Sequence, residues 1–174
     1  MVADMGQYHE VRYEGYGING VAVIVETLTD NRNRTASEVR STFTKYAGNL
    51  GETGSVGFCF ERLGILNFES AKFDFDKVFE AAVVAGADNV ETIEGIQEVT
   101  CAMDSFASVR DALIETLGDP IEAKIMWRPL NTIAVNEDQA KTLFKMIDVL
   151  EDNDDVQNVY TNVEIADEIL QKLG

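Results

Sequence analysis

The run Val21-Ala22-Val23-Ile24-Val25-Glu26-Thr27-Leu28 constrains the fold first, because β-branched residues entered through glycines read as a buried strand. The period then changes. Thr35-Ala36-Ser37-Glu38 fits a capping box, and Ala36, Val39, Phe43 and Ala47 recur at helical spacing, so a helix is expected from Thr35 to Ala47. Gly48-Asn49-Leu50-Gly51 stops it. Gly54 to Phe60 and Gly64 to Phe68 read as two strands joined by the turn Arg62-Leu63-Gly64.

The alternation continues downstream. Asp74 to Ala85 carries Phe75, Val78, Phe79, Ala82 and Val83 on a helical stripe closed by Gly86, and Asn89 to Ile93 and Gln97 to Met103 read as strands about the turn Glu94-Gly95. Asp104 caps a helix to Leu117, and Ile121 to Trp127 reads as a strand. Asn136 caps a helix burying Ala140, Leu143, Phe144, Ile147 and Leu150; a strand, Val156 to Val163, and a tail helix, Ile165 to Leu173, complete the chain. Joining the first β-α-β-β to the last α-β gives the ferredoxin-like β-α-β-β-α-β unit if the middle loops out. The expected fold is α+β, with two small ferredoxin-like α/β sandwich domains. One comprises residues 1–70 together with 130–174, and the other, residues 71–129, is inserted in it. A tandem arrangement is the alternative.

The chain has 174 residues and a formal net charge of −17. Residues 1–62 carry six bases and eight acids, whereas the remainder carries eight bases and 23 acids. Such a surface repels polyanions, so the chain alone is expected to bind nucleic acid weakly. No apolar run reaches the roughly 18 to 20 residues of a membrane span, and the N-terminus lacks the basic-then-apolar pattern of a secretory signal. Cys59 and Cys101 show no CxxC or Cys/His grouping, so they read as buried thiols rather than a disulfide or zinc site.

Gly15-Tyr16-Gly17-Ile18-Asn19-Gly20 matches the dinucleotide pattern GxGxxG in the wrong context. The fingerprint needs a strand before and a helix after, whereas here the strand comes afterwards, so the glycines read as conformational. His9 has no Asp or Cys near it in sequence, and Asp152, Asp154 and Asp155 lack the central Gly and terminal Glu of a calcium loop. They read as a solvated run ending a helix. Neither a catalytic set, a metal site nor a cofactor site is expected.

The dedicated chemistry lies in Thr29-Asp30-Asn31-Arg32-Asn33-Arg34-Thr35. Two Arg alternate with Asn between a buried strand and a capped helix, and Arg40 lies off the apolar stripe, so guanidinium groups can converge near a helix N-terminus, where anions are favoured. Arg32, Asn33, Arg34, Arg40 and Lys45 are the expected nucleic-acid contacts. The competing reading pairs Arg32 and Arg34 with Asp30, Glu38 or other acids as loop braces.

Read in order, Tyr13-Glu14-Gly15-Tyr16-Gly17, Gly20 to Glu26, Leu28 to Arg40, Gly48-Asn49-Leu50-Gly51, Gly54-Ser55-Val56 and Phe60-Glu61-Arg62 resemble the YebC family. Ile18-Asn19 stands where that family usually has Pro-Gly, while Phe58-Cys59 and Leu63 stand in positions often held by Trp-Met and Lys. The resemblance starts near Tyr13 and corresponds to the family's second and third domains, without its basic N-terminal helical domain. It implies a non-enzymatic regulator of gene expression, in the bacterial cytoplasm or mitochondrial matrix. The implied role is DNA-binding transcription regulation, or alternatively ribosome-associated translation activation on RNA plus protein, with the N-terminal domain contributing to either contact. A small-molecule-sensing regulatory domain, using Gly17 to Gly20, is the reading from another class.

Overall fold

A computed structural model describes residues 7–173. In chain order the elements begin with β1 (His9–Tyr16), β2 (Ala22–Thr29), α1 (Arg32–Lys45), β3 (Asn49–Leu50) and β4 (Phe60–Glu69). They continue with α2 (Phe75–Ala85), β5 (Asn89–Ile93), β6 (Ile96–Ala102), α3 (Phe106–Leu117) and β7 (Glu122–Pro129). The last are β8 (Ile133–Ala134), α4 (Glu137–Asp152), β9 (Val156–Thr161), β10 (Val163–Glu164) and α5 (Asp167–Leu173). The chain divides into two compact units, Met1–Glu61 with Pro129–Gly174, and Arg62–Arg128.

In the first unit, β1 and β2 form an antiparallel hairpin with Glu14 opposite Ile24 and Gly15 opposite Val23. The hairpin turns through Ile18–Gly20, where Asn19 (φ 60°) and Gly20 (φ 75°) both take the left-handed conformation that favours Asn and Gly. The sheet order is β3-β1-β2-β9, antiparallel throughout. Because strand side chains alternate, Val21, Val23 and Val25 share a face, and they share a core with Val39 and Phe43 of α1 and Leu143, Met146 and Leu150 of α4. Gly17 closes against Leu143 and Met146; a Cβ there would lie 3.1 Å from Leu143 Cδ1. A capping box starts α4: the Asn136 side chain accepts from the Gln139 N–H at 2.8 Å, and the Gln139 side chain accepts from the Asn136 N–H at 3.0 Å. Asn136→Ala should therefore cost about 1 kcal/mol, read as faster amide exchange in the first turn of α4.

The second unit runs β4-α2-β5-β6-α3-β7, with sheet order β5-β6-β4-β7. Leu66 and Phe68 of β4 and Val99 and Cys101 of β6 share a core with Val78 and Ala82 of α2 and Val109 and Leu113 of α3. Asp74 caps α2 by accepting from the Lys77 N–H at 2.8 Å.

The α+β class with two units, one inserted in the other, stands, while several local assignments move. Gly54 to Phe60 is not a strand, and Arg62 to Gly64 is not a turn: a loop and a short 3-10 turn at Gly57–Cys59 lead into one continuous strand, β4. Most of β4 belongs to the inserted unit, whose boundaries are Arg62 and Arg128 rather than residues 71 and 129. It is the first strand that the inserted segment lacked in sequence, so the β-α-β-β-α-β order assigned to the outer domain is the order of the inserted one. The outer unit instead opens with a hairpin, because the polar stretch from His9 is itself a strand. β1 has no sheet partner beyond Gly15 and Tyr16 on its outer side, which permits polar residues there. Asp104 does not cap α3: Ser105 holds the cap position and makes no side-chain cap bond.

Candidate nucleic-acid interface

The helix carrying the expected contacts starts one turn earlier than its capping-box signature indicates. Asn31 is the cap, its side chain accepting from the Arg34 N–H at 3.0 Å. Thr35, expected at the cap, is buried inside the first turn. Its Oγ1 lies 2.7 Å from Thr29 Oγ1 and donates to Asp155 Oδ2 at 2.8 Å. Thr29 Oγ1 also accepts from the Asn31 N–H at 2.9 Å, and Asp155 O accepts from the Leu28 N–H at 2.8 Å. Asp155 is thus an anchor for the start of α1, not part of a solvated acidic run. Burial pushes its carboxyl up, but hydrogen bonds from Arg34 and Thr35 and the guanidinium charge outweigh that and hold it below the ordinary carboxylate value.

The five expected contacts do not form one patch. Arg34 Nη2 sits 2.8 Å from Asp155 Oδ2 and 3.3 Å from Asp30 Oδ1, so its charge is largely neutralised although its side chain is 45% exposed. The brace reading holds for Arg34. Arg32 and Arg40 are exposed and make no ion pair among the described residues, and Asn33 is exposed beside them. At 100° per residue, Arg40, Asn33 and Thr44 fall within an arc of about 40° on α1; Arg32 lies about 80° from Arg40 on one side, and Arg34 and Lys45 lie about a third of a turn from it on the other. Lys45 is exposed, with Nζ 5.5 Å from the centre of the Tyr46 ring.

Between the two flanks Ser37 and Ser41 border an open groove of about 420 Å³, also lined by Glu38, Asp152 and Asn153. The acids on that side repel phosphate, so an anion is favoured on the Arg32/Asn33/Arg40 flank. Arg32, Arg34, Arg40 and Lys45 against Glu38 leave α1 at +3, while α2, α3, α4 and α5 are each net negative. The geometry can therefore hold phosphate oxygens along α1 through guanidinium, amide and hydroxyl donors. Two participants escaped sequence reading. Asp155 lies 121 residues from its Arg34 partner, with no signal linking them. Thr29 sits six residues before Thr35 in an ordinary strand end, and that spacing is its only mark.

The sequence profile of the second and third domains of TACO1/YebC proteins matches residues 8–163. The chain belongs to the TACO1/YebC family. A crystal structure of a conserved hypothetical protein, Aq1575, from Aquifex aeolicus is similar, with 40% identity and a TM-score of 0.82 over 95% of this chain and 68% of the Aquifex protein. TACO1/YebC domains are transcriptional-regulator-like at the level of the family. Among the described residues of this member, no group of three or more His, Cys, Asp or Glu could hold a metal ion. No helix among them is long and apolar enough to cross a membrane.

Proposed function

We propose that this chain is a non-enzymatic regulator of gene expression that touches nucleic acid through α1, with duplex DNA as the target. The single observation carrying this reading is that the only net-cationic helix among the described residues of a −17 chain presents Arg32, Asn33 and Arg40 unpaired to solvent. The family's transcriptional-regulator character favours DNA; ribosomal RNA, the target of a translational activator, is the second polyanion to measure. Arg34 serves as a brace and contributes little direct contact. The overall charge opposes a polyanion, so affinity from this surface is modest and strongly salt-dependent.

The experiment titrates duplex DNA and structured RNA with the full chain and with Arg32→Gln/Arg40→Gln at several salt concentrations. Losing two phosphate contacts should reduce the slope of log K against log salt by about 2. Arg34→Gln should change it by less than about 1. An unchanged slope in the Arg32/Arg40 variant removes α1 from the interface. A larger effect on RNA than on DNA moves the target to the ribosome.

A further inference from the structure

Helix α2 buries Val78 and Ala82 but leaves Phe75, Phe79 and Val83 outside at 39%, 46% and 60% exposure, with Val84 beyond them at 89%. Phe75, Phe79 and Val83 follow at intervals of four, so they form one stripe of about 12 Å along the helix. The Phe75 and Phe79 rings stack with centroids 5.6 Å apart. The helix is thus capped and packed on its inner side, while its second apolar stripe stays substantially open to solvent. Asp76 and Glu80 run beside that stripe on the side away from Val78 and Ala82, and Lys77, the one base of α2, lies on the opposite side of the helix from it.

We infer that the exposed stripe of α2 is a docking surface for an amphipathic helix with a basic flank. Phe75, Phe79 and Val83 present ridges for the partner's apolar residues, and Asp76 and Glu80 select Lys or Arg along one edge. A second copy of this chain fits the surface poorly. Two antiparallel α2 helices meet like flank to like flank, which sets Asp76 and Glu80 of each copy against their counterparts, and each copy adds a charge of −17.

The probe is a synthetic helical peptide of about four turns, with leucines at i, i+3, i+4, i+7 and i+11 and Lys/Arg flanks. Two control peptides replace the leucines by serine or the basic flanks by glutamate. At ~0.15 M salt, where non-specific attraction is screened, the basic apolar peptide should bind the full chain at least roughly tenfold tighter than either control. Phe79→Ser/Val83→Ser, two exposed positions whose replacement leaves the core intact, should remove that preference. Asp76→Lys/Glu80→Lys should reverse it in favour of the glutamate-flanked peptide. Circular dichroism of both variants verifies that α2 persists. Equal binding of the leucine and serine peptides, or full binding to the Phe79/Val83 variant, overturns the proposal. So does a wild-type dimer in sedimentation that the Phe79/Val83 variant abolishes. The α1 titration is independent, because none of these substitutions touches the cationic helix.

Discussion

Glu14→Ala should destabilise the first unit by about 3 to 4 kcal/mol, among the largest single-residue effects expected in this chain. The Glu14 side chain has no solvent exposure and accepts from the Gly54 N–H at 3.0 Å, the Val56 N–H at 3.1 Å and Arg12 Nε at 2.9 Å. Removing it orphans a buried backbone donor at Val56 and frees the loop that leads into β4. Glu14→Gln, which keeps one acceptor oxygen, should recover roughly half of the loss. Amide exchange at Val56 and urea unfolding followed in the first unit provide the readout; a loss below about 1 kcal/mol would mean that water replaces the carboxylate.

The same residue sets an acid limit. Burial raises its carboxyl, but the Gly54 N–H, Arg12 and the Val56 N–H together hold it below the ordinary value. A carboxyl lowered in the folded state contributes stability that is fully present above its unfolded value, about 4.3, and is lost as pH falls through the folded one. Asp155 is lowered as well and adds in the same direction. Stability of the first unit should therefore be flat near neutrality and fall below about pH 4. Glu14→Gln should flatten that fall.

Phe43→Ala is the second large effect, about 3 to 5 kcal/mol. Phe43 is fully buried, shares a core with Val23, Val25, Leu143 and Met146, and approaches the backbone of β1 so closely that a Cβ on Gly15 would lie 3.0 Å from its ring. Truncation leaves a void under α1 and loosens the seating of the helix that carries Arg32 and Arg40. Amide exchange along α1 should accelerate, and the proposed binding to DNA should weaken even though every cation is retained. If exchange along α1 is unchanged in Phe43→Ala, another contact seats that helix.

Where local chemistry decides an element, the residues made it legible. Asn136 before α4, the apolar stripe that follows Asp74 and the β-branched run from Val21 are short-range signals, and each predicted the element that forms. The capping box at Thr35 misled for a physical reason. Asn31 is an equally good cap four residues earlier, and a buried hydroxyl at Thr35 is worth more bonded to Asp155 than at a solvent-exposed helix start. The split of β4 into two strands misled similarly. Gly64 looks like a turn residue, but it lies in mid-strand because a Cβ there would meet Phe106 Cδ1 at 2.5 Å.

The order of the helices, the charge asymmetry and the cations between Asn31 and Lys45 were written in the linear chain, because periodicity, capping and composition act over a few residues. Which of those cations remain available was decided by folding. Asp155 and Arg34 are far apart along the chain and meet only when β9 pairs with β2. The position of Glu14 beneath the loop that precedes β4, and the apolar stripe that α2 leaves exposed, were settled in the same way. Such contacts depend on long-range packing, and no short stretch of residues encodes them.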